Sequence, residues 1–543
     1  MKRTLAILIA VFGMIGGTAS GQQVKDVRAV LEASMKAMGG NNLKSIQFKG
    51  KGWSSRIGQT YGMAEDWPHY EVADYTKTID YDAKYWREEY TRRQGRYPLL
   101  GRLPMQDEKI VSIFNGNFAW DMQGDRTVPL PGLYMDGVPY NELRMLEMTI
   151  TPHGFLKAAL AAKDATAITL PIVGGSDAGL SAFGRKVTIV SFTMGKYRFN
   201  GTINDQNLVE LTDTWFANPV YGDMDYEMRY TKYKSVDGIM FPMQFHVHQG
   251  DPRLNPAHNY YEYDVSEVKA NPQFTITPVP DAVRTAVAPP VRVVSEKLAD
   301  GVWLLGGGTH NSVLVEFKDF VTVIEAPQNE ARSLAVIAEV ERLVPNKLIR
   351  YVVNTHHHFD HAGGLRTYLS MGTTVVTHES TKHYYMDTMF YPAGRALDPD
   401  RMALYNPMYM ISRRPPSIET VANLAGAPGG GAAKYVITDG EHIAEVFHVQ
   451  DMAYETGDNT LGMGNHASDL LMVYLPKEKI MINADLYSPP AQGAPAPVVS
   501  PGMRTLQANI VKHKLDVQRH APIHGRVGTN EEFLKILGPP AAR

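Results

Sequence analysis

Four imidazoles and a carboxylate crowd one short stretch, Tyr351-Val-Val-Asn-Thr-His-His-His-Phe-Asp-His-Ala-Gly-Gly-Leu. In an extended segment alternate side chains share a face, so His356 and His358 can grip one ion together. Asp360 and His361 follow where the chain turns into a helix marked by Leu365, Tyr368 and Leu369, and they address a second position. Neutral imidazole and carboxylate without thiolate suit zinc, and also iron or manganese. A His-rich surface turn would not need the carboxylate placed so regularly.

Three more residues of the same kind come later: His466 in Gly-Asn-His-Ala-Ser-Asp-Leu-Leu-Met-Val-Tyr-Leu-Pro, Asp485 in Met-Ile-Asn-Ala-Asp-Leu-Tyr, and His524 in Ala-Pro-Ile-His-Gly. With the His-x-His-x-Asp-His run, this order resembles the metallo-β-lactamase superfamily of metal hydrolases, from about Val293 to the C-terminus. The resemblance implies an αββα sandwich in which His356, His358 and His466 hold a first metal. Asp360, His361 and His524 would hold a second, and Asp485 would bridge the two. It further implies a dinuclear zinc-dependent hydrolase whose ions share a hydroxide and attack an ester, lactone, amide or similar bond of a small molecule. Asp360 would be the catalytic residue that orients the water and takes up its proton. Two departures from the family pattern touch residues beside the ligands: Glu325 where Asp is usual, and Ala484 where Gly is common. No residue can be assigned to a β-lactam carboxylate. A mononuclear iron oxygenase of the same fold, similar to persulfide dioxygenases, is the alternative enzyme, but it would leave His361 and His524 unused. A non-enzymatic lipid or lipoprotein carrier with a structural metal is the third reading. An open site with this many ligands argues against it, since structural zinc sites are closed.

The motif is delivered by strand Ile349–Val353, after paired strands Val302–Leu305 and Ser312–Phe317 around a glycine-rich turn holding His310. A strand Phe320–Ile324 and a helix through Ala331, Leu334, Ala335 and Ala338 complete the alternation expected of an α/β arrangement. The interval before His466 carries a Tyr/Met-rich piece from Tyr384 to Met410, which reads either as a cover over the site or as a helix packed on the other domain.

The N-terminal half reads differently. Val27, Val30, Leu31, Met35 and Met38 recur at helical spacing and stop at Gly39-Gly40. Short alternating segments then follow one another, with Asn115-Gly116 as a hairpin turn and a helix at about Pro152–Lys163. The order is similar to periplasmic lipoprotein-carrier proteins, through Met38-Gly39-Gly40, Asn115–Trp120 and Val236–Pro242. That likeness implies a curved antiparallel sheet around helices, with an apolar ligand among Trp53, Trp67, Trp86, Trp120 and Trp215, although these also serve as ordinary core. His246 and His248 alternate with Phe245 and Val247, which reads as a solvated strand face. The proline-rich run Thr277–Val291 is a semi-rigid spacer. The expected division is 1–21 leader, 22–276 β-rich domain, 277–291 linker and 292–543 metal domain.

The 543 residues carry a formal net charge of −3, so no nucleic-acid partner or acidic membrane is advertised. With 0 cysteines, disulfides and thiolate ligands are excluded. Lys2-Arg3, the apolar run Leu5–Ile15 and the small residues through Gly21 read as a secretory signal peptide, hence a periplasmic or secreted protein with no integral membrane segment once matured. N-terminal sequencing of the exported protein should begin near Gly21 or Gln22; an intact Met1 on membrane-bound material would instead mark an anchor.

Overall fold

The computed structural model describes residues 22–96, 100–171, 186–250, 258–390, 394–405, 416–422, 434–451 and 464–538. The expected leader and Met408–Met410 lie outside these residues.

Alternating β-branched and aromatic residues build a 14-stranded sheet in the N-terminal half, antiparallel throughout. Its centre joins His258–Ala270 to Ser45–Ser55, so the sheet's first long strand in the sequence pairs with the sheet's last. Gly116, with φ 64°, turns the expected hairpin between Glu108–Asn115 and Phe118–Gln123. Three helices pack on the sheet: Val27–Ala37, Tyr140–Thr149 and Pro152–Ala161. The first starts where the Asp26 carboxylate accepts from the Ala29 amide, and the last where Thr151 caps a Pro152 start. Two sequence motifs that looked separate touch here. Gly39 (φ 65°) lies so close to the Asp237-Gly238 turn that a Cβ would sit 2.0 Å from the Gly238 carbonyl oxygen. Only glycine allows that approach. Trp67 and Trp120 are buried in the core as ordinary packing.

The C-terminal half holds a seven-stranded and a six-stranded sheet. In the first, Val294–Ala299 through Phe320–Ile324 pair antiparallel, and Leu348–Val353, Thr374–His378 and Ile418–Val421 add on in parallel. The crossover between Phe320–Ile324 and Leu348–Val353 is the helix Glu330–Leu343, as parallel pairing requires. Side chains alternate between two cores. Val313, Val315, Ile324 and Val353 join Val446, Val473 and Ile482 of the six-stranded sheet, while Leu314, Val323 and Val352 join Val336 and Val340 of the helix. That second core continues into the N-terminal half through Phe359, whose ring meets Tyr221 edge-on at 5.0 Å.

The first half of the proline-rich run packs on the N-terminal half: Val283 is buried with Tyr85, Val111, Ile113 and Trp120, and Asn115 donates to the Thr277 carbonyl. The Tyr/Met-rich piece, where described, packs on the N-terminal half. Arg395 donates to the Pro219 and Val220 carbonyls, and Asp223 accepts from the Ala396 and Leu397 amides. Among the described residues no helix is long and apolar enough to cross a membrane.

His153 sits in the N-terminal core with Nε2 3.1 Å from the Met38 carbonyl oxygen. Burial penalises its charged form, the Met38 bond only partly compensates, and its pKa drops to about 4. The unfolded chain therefore takes up this proton at higher pH than the folded one. The stability it confers is complete above about pH 6.5 and is lost as pH falls toward 4, amounting to about 3 kcal/mol. Wild type should lose more melting temperature over that interval than His153→Gln, which keeps a donor for Met38 and cannot titrate. Thermal melts followed by circular dichroism read the difference, and parallel curves would refute it.

Candidate metal centre

The strand Leu348–Val353 ends at Asn354, and the extended segment after it carries the histidines into a short helix, Phe359–Ala362. Alternation holds: His356 and His358 face each other, with Nε2 of the first 3.0 Å from Nδ1 of the second. His466 brings its Nε2 to 2.9 Å from the same Nδ1. A second group forms alongside, where His524 Nε2 lies 3.3 Å from His361 Nε2. Asp485 stands between the two. Its Oδ2 is 2.9 Å from His361 Nε2 and 3.6 Å from both His356 Nε2 and His466 Nε2, while Oδ1 is 3.5 Å from His524 Nε2.

The outer nitrogens decide what the inner ones can do. His358 Nε2 donates to the Thr60 carbonyl (2.8 Å), His466 Nδ1 to the Leu100 carbonyl (3.3 Å) and His524 Nδ1 to the Thr309 carbonyl (3.0 Å). His361 Nδ1 donates to Glu325 at 3.1 Å. Thr355 gives its hydroxyl proton to Glu325, so it accepts from His356 Nδ1 at 3.0 Å. In the neutral ring each N–H is thus used outward, which leaves a lone pair to face inward on every one. Lone pairs 3 Å apart repel unless a cation lies among them. Asp485 Oδ2 is likewise buried, turned into the same space with His361 Nε2 2.9 Å away. The donor set therefore fits divalent metal.

Electrostatics agree. Burial, reinforced by the neighbouring imidazoles, holds His356 and His358 well below the usual imidazole range. Burial takes His466 to about 4 despite Asp485. His361 is the exception: burial opposes its charge, but Asp485, Asp360 and Glu325 outweigh it and raise its pKa strongly. The field that favours a proton there also favours a metal ion. Glu325 (φ 79°) and Asp485 (φ 58°) both occupy the left-handed region, strain of the kind found where a side chain must be aimed.

The expected residues meet in one place, with one shift of emphasis. Asp360 lies at the edge, Oδ2 3.8 Å from His361 Nε2 and 3.3 Å from His310 Nε2. His310, read from sequence only as part of a turn, joins His361 and His524 as a third imidazole. Its loop is latched by Asn311, which donates to the Pro522 and Gly525 carbonyls on either side of His524. His357 turns away to Asp469 and serves packing.

The N-terminal half supplies contacts that the sequence did not announce. Gln59 donates to Asp360 Oδ1 at 2.8 Å, the Thr60 hydroxyl donates to His357 Nε2, and Arg102 lies 3.5 Å from Asp485. Gly58 lets this loop in: at φ 69° it faces the Phe359 ring, and a Cβ would come within 2.3 Å of it. A cavity of about 610 Å³ opens inside the same half, with Gln59, Phe359 and Asp360 in its wall. Tyr90, Tyr260, Tyr261, Tyr263, Lys77 and Glu147 also line it, and of the five tryptophans only Trp86 does. The lining is polar and aromatic, unlike the apolar pocket expected from sequence.

Residues 305–541 match the family model described as the metallo-beta-lactamase superfamily. The C-terminal half of the chain belongs to that superfamily. Solved structures similar to the chain include the DIM-1 metallo-β-lactamase, at 16% identity and TM-score 0.31 over 45% of this chain and 95% of that one. A metallo-β-lactamase from Pontibacter korlensis aligns at 17% identity and TM-score 0.30, with coverage of 45% and 95%. The FIM-1 enzyme from Pseudomonas aeruginosa, in its mono-zinc form, aligns at 18% and TM-score 0.30, with coverage of 45% and 93%. No curated protein matches the chain.

Glu325 serves two rings at once, directly for His361 and through Thr355 for His356. Glu325→Gln keeps the shape but weakens both bonds. Zinc affinity, measured by competition with a chromophoric chelator, should fall roughly 10–100-fold with every inward-facing nitrogen still present. Unchanged affinity would remove Glu325 from the centre.

Proposed function

We propose that the protein is a metal-dependent hydrolase whose centre takes two divalent ions, zinc foremost. His356, His358 and His466 would hold one, His361, His524 and Asp360 the other, with Asp485 shared. The observation that carries this reading is the five imidazoles that use their N–H outward and turn a bare nitrogen inward. The pairing of His361 with His524, reinforced by His310, favours two ions over the single iron of an oxygenase. When bound, such a pair supplies a water nucleophile near neutral pH and an electrophilic anchor for the substrate oxygen.

The chain's own residues do the rest. Burial works against the Asp360 charge, but His361 and His310 outweigh it and hold the carboxylate ionised, so that it accepts a hydrogen bond from the attacking water and orients it. Gln59 fixes one of its oxygens and so orients the other. The substrate enters from the cavity in the N-terminal half, where Phe359 and Gln59 adjoin Asp360 and limit access of bulk water. Its tyrosine and charged lining suits a polar small molecule with an ester, lactone or amide bond better than a lipid tail. We read the two sheets of the C-terminal half as the inner layers of an αββα sandwich, the N-terminal sheet as a curved half-barrel, and the Lys2–Gly21 segment as an export signal.

A hydrolysis screen over esters, lactones and amides, run on metal-analysed protein, tests the reading. His358→Ala should lose one ion and nearly all turnover. Asp360→Asn, nearly isosteric, should cut the rate by roughly 10²–10⁴-fold. Full occupancy and turnover in both variants would sink the assignment.

A further inference from the structure

The strand Ile239–Gly250 puts Phe245 and Val247 into the core and turns His246 and His248 to the other face. Neither histidine is loosely solvated. His246 Nδ1 lies 2.7 Å from Glu262 and His248 Nδ1 2.9 Å from Glu227, carboxylates on the two flanking strands. Both rings therefore donate sideways. Their Nε2 atoms then meet 3.0 Å apart, and the Asn259 Oδ1 stands 2.8 Å from the first. The amide orientation of Asn259 is fixed, because its Nδ2 donates to Asp66 at 2.6 Å. With both rings neutral, three lone pairs, two from nitrogen and one from oxygen, converge. A register shift makes this possible. His246 pairs with Glu262 and Val247 with Tyr261, but His248 pairs with Asn259, so the bulge at Tyr260 swings the amide onto the histidine face. Bulges that re-aim a side chain in this way recur beside functional sites.

We propose that His246, His248 and Asn259 form a further metal site on the N-terminal sheet, for a borderline divalent ion such as Zn²⁺. Two imidazoles and one amide oxygen suit zinc, nickel or copper, and water would complete the coordination. Glu227 and Glu262 do for these rings what Glu325 does at the main centre: they fix the tautomer and raise the basicity of the inward nitrogen. With fewer protein ligands, the site binds more weakly than the main centre. It also has a mechanical connection. Asp66, held by Asn259, closes the same loop that carries Gln59 and Thr60 to Asp360 and His358. An ion here braces that loop from its far end.

A proton on His246 could satisfy the same lone pairs, and the experiment separates the two. Full-length mature protein is stripped with a chelator, and Zn²⁺ is titrated back with calorimetric detection. Wild type should bind one more Zn²⁺ per chain than the variant carrying His246→Gln and His248→Gln. That difference holds however many ions the main centre takes, so it stands or falls apart from the proposed function. The variant carrying Glu227→Gln and Glu262→Gln keeps every ligand, and should bind the extra ion about 10–100-fold more weakly. It also covers the case in which the histidine variant fails to fold. Equal stoichiometry in wild type and folded histidine variant, or an extra ion indifferent to Glu227 and Glu262, would overturn the proposal.

Discussion

A singly protonated imidazole can aim either its N–H or its lone pair at a shared space, and the five rings at the centre all aim the lone pair. Everything else in the structure answers to that choice. It requires an acceptor behind each ring, and the acceptors come from four separate places: Glu325 with Thr355, the Thr309 loop, Thr60 and Leu100. The last two belong to the N-terminal half. The large antiparallel sheet is therefore part of the centre, because without it His358 and His466 would be free to adopt the other tautomer.

The ligand run was legible because its chemistry is local. His356, His358, Asp360 and His361 lie within six residues, and alternation followed by a helix start is enough to place them on two sides. Asp485 and His524 were legible through family likeness rather than spacing. The strands of both halves could be read from their alternation, and the Asn115-Gly116 hairpin from its turn chemistry. What could not be read was long-range. Gln59 and Thr60 reach the motif across about three hundred residues, and nothing in Gly-Gln-Thr announces it. His310 left a fainter trace, a histidine behind three glycines in a loop, where functional side chains tend to sit. The tilt of Glu325 and Asp485 into left-handed backbone is invisible in sequence, since neither residue type suggests it.

The same limit explains the cavity. Tryptophan was the natural candidate for a binding wall, but Trp67 and Trp120 fill the core, and tyrosines from several distant strands face the open space. Which face of a strand is hollow depends on what its neighbours leave unfilled. Here that is settled by the helix Tyr140–Thr149, which brings Glu147 and Arg144 to the wall. Burial raises Glu147 to about 7, so this wall changes charge within the physiological range.

Three of the five outward bonds end on main-chain carbonyls, those of Thr60, Leu100 and Thr309. A carbonyl belongs to every amino acid, so these contacts survive a change of side chain at all three positions. They depend on where the backbone runs, and hence on loop length. Chain variation at this centre is consequently filtered unequally. Substitutions at Thr60, Leu100 and Thr309 can pass where the fold tolerates them, whereas inserting or deleting one residue beside them would slide the wrong peptide group behind the ring. Family members that share this architecture would be recognised by constant spacing between loop and strand rather than by a constant letter.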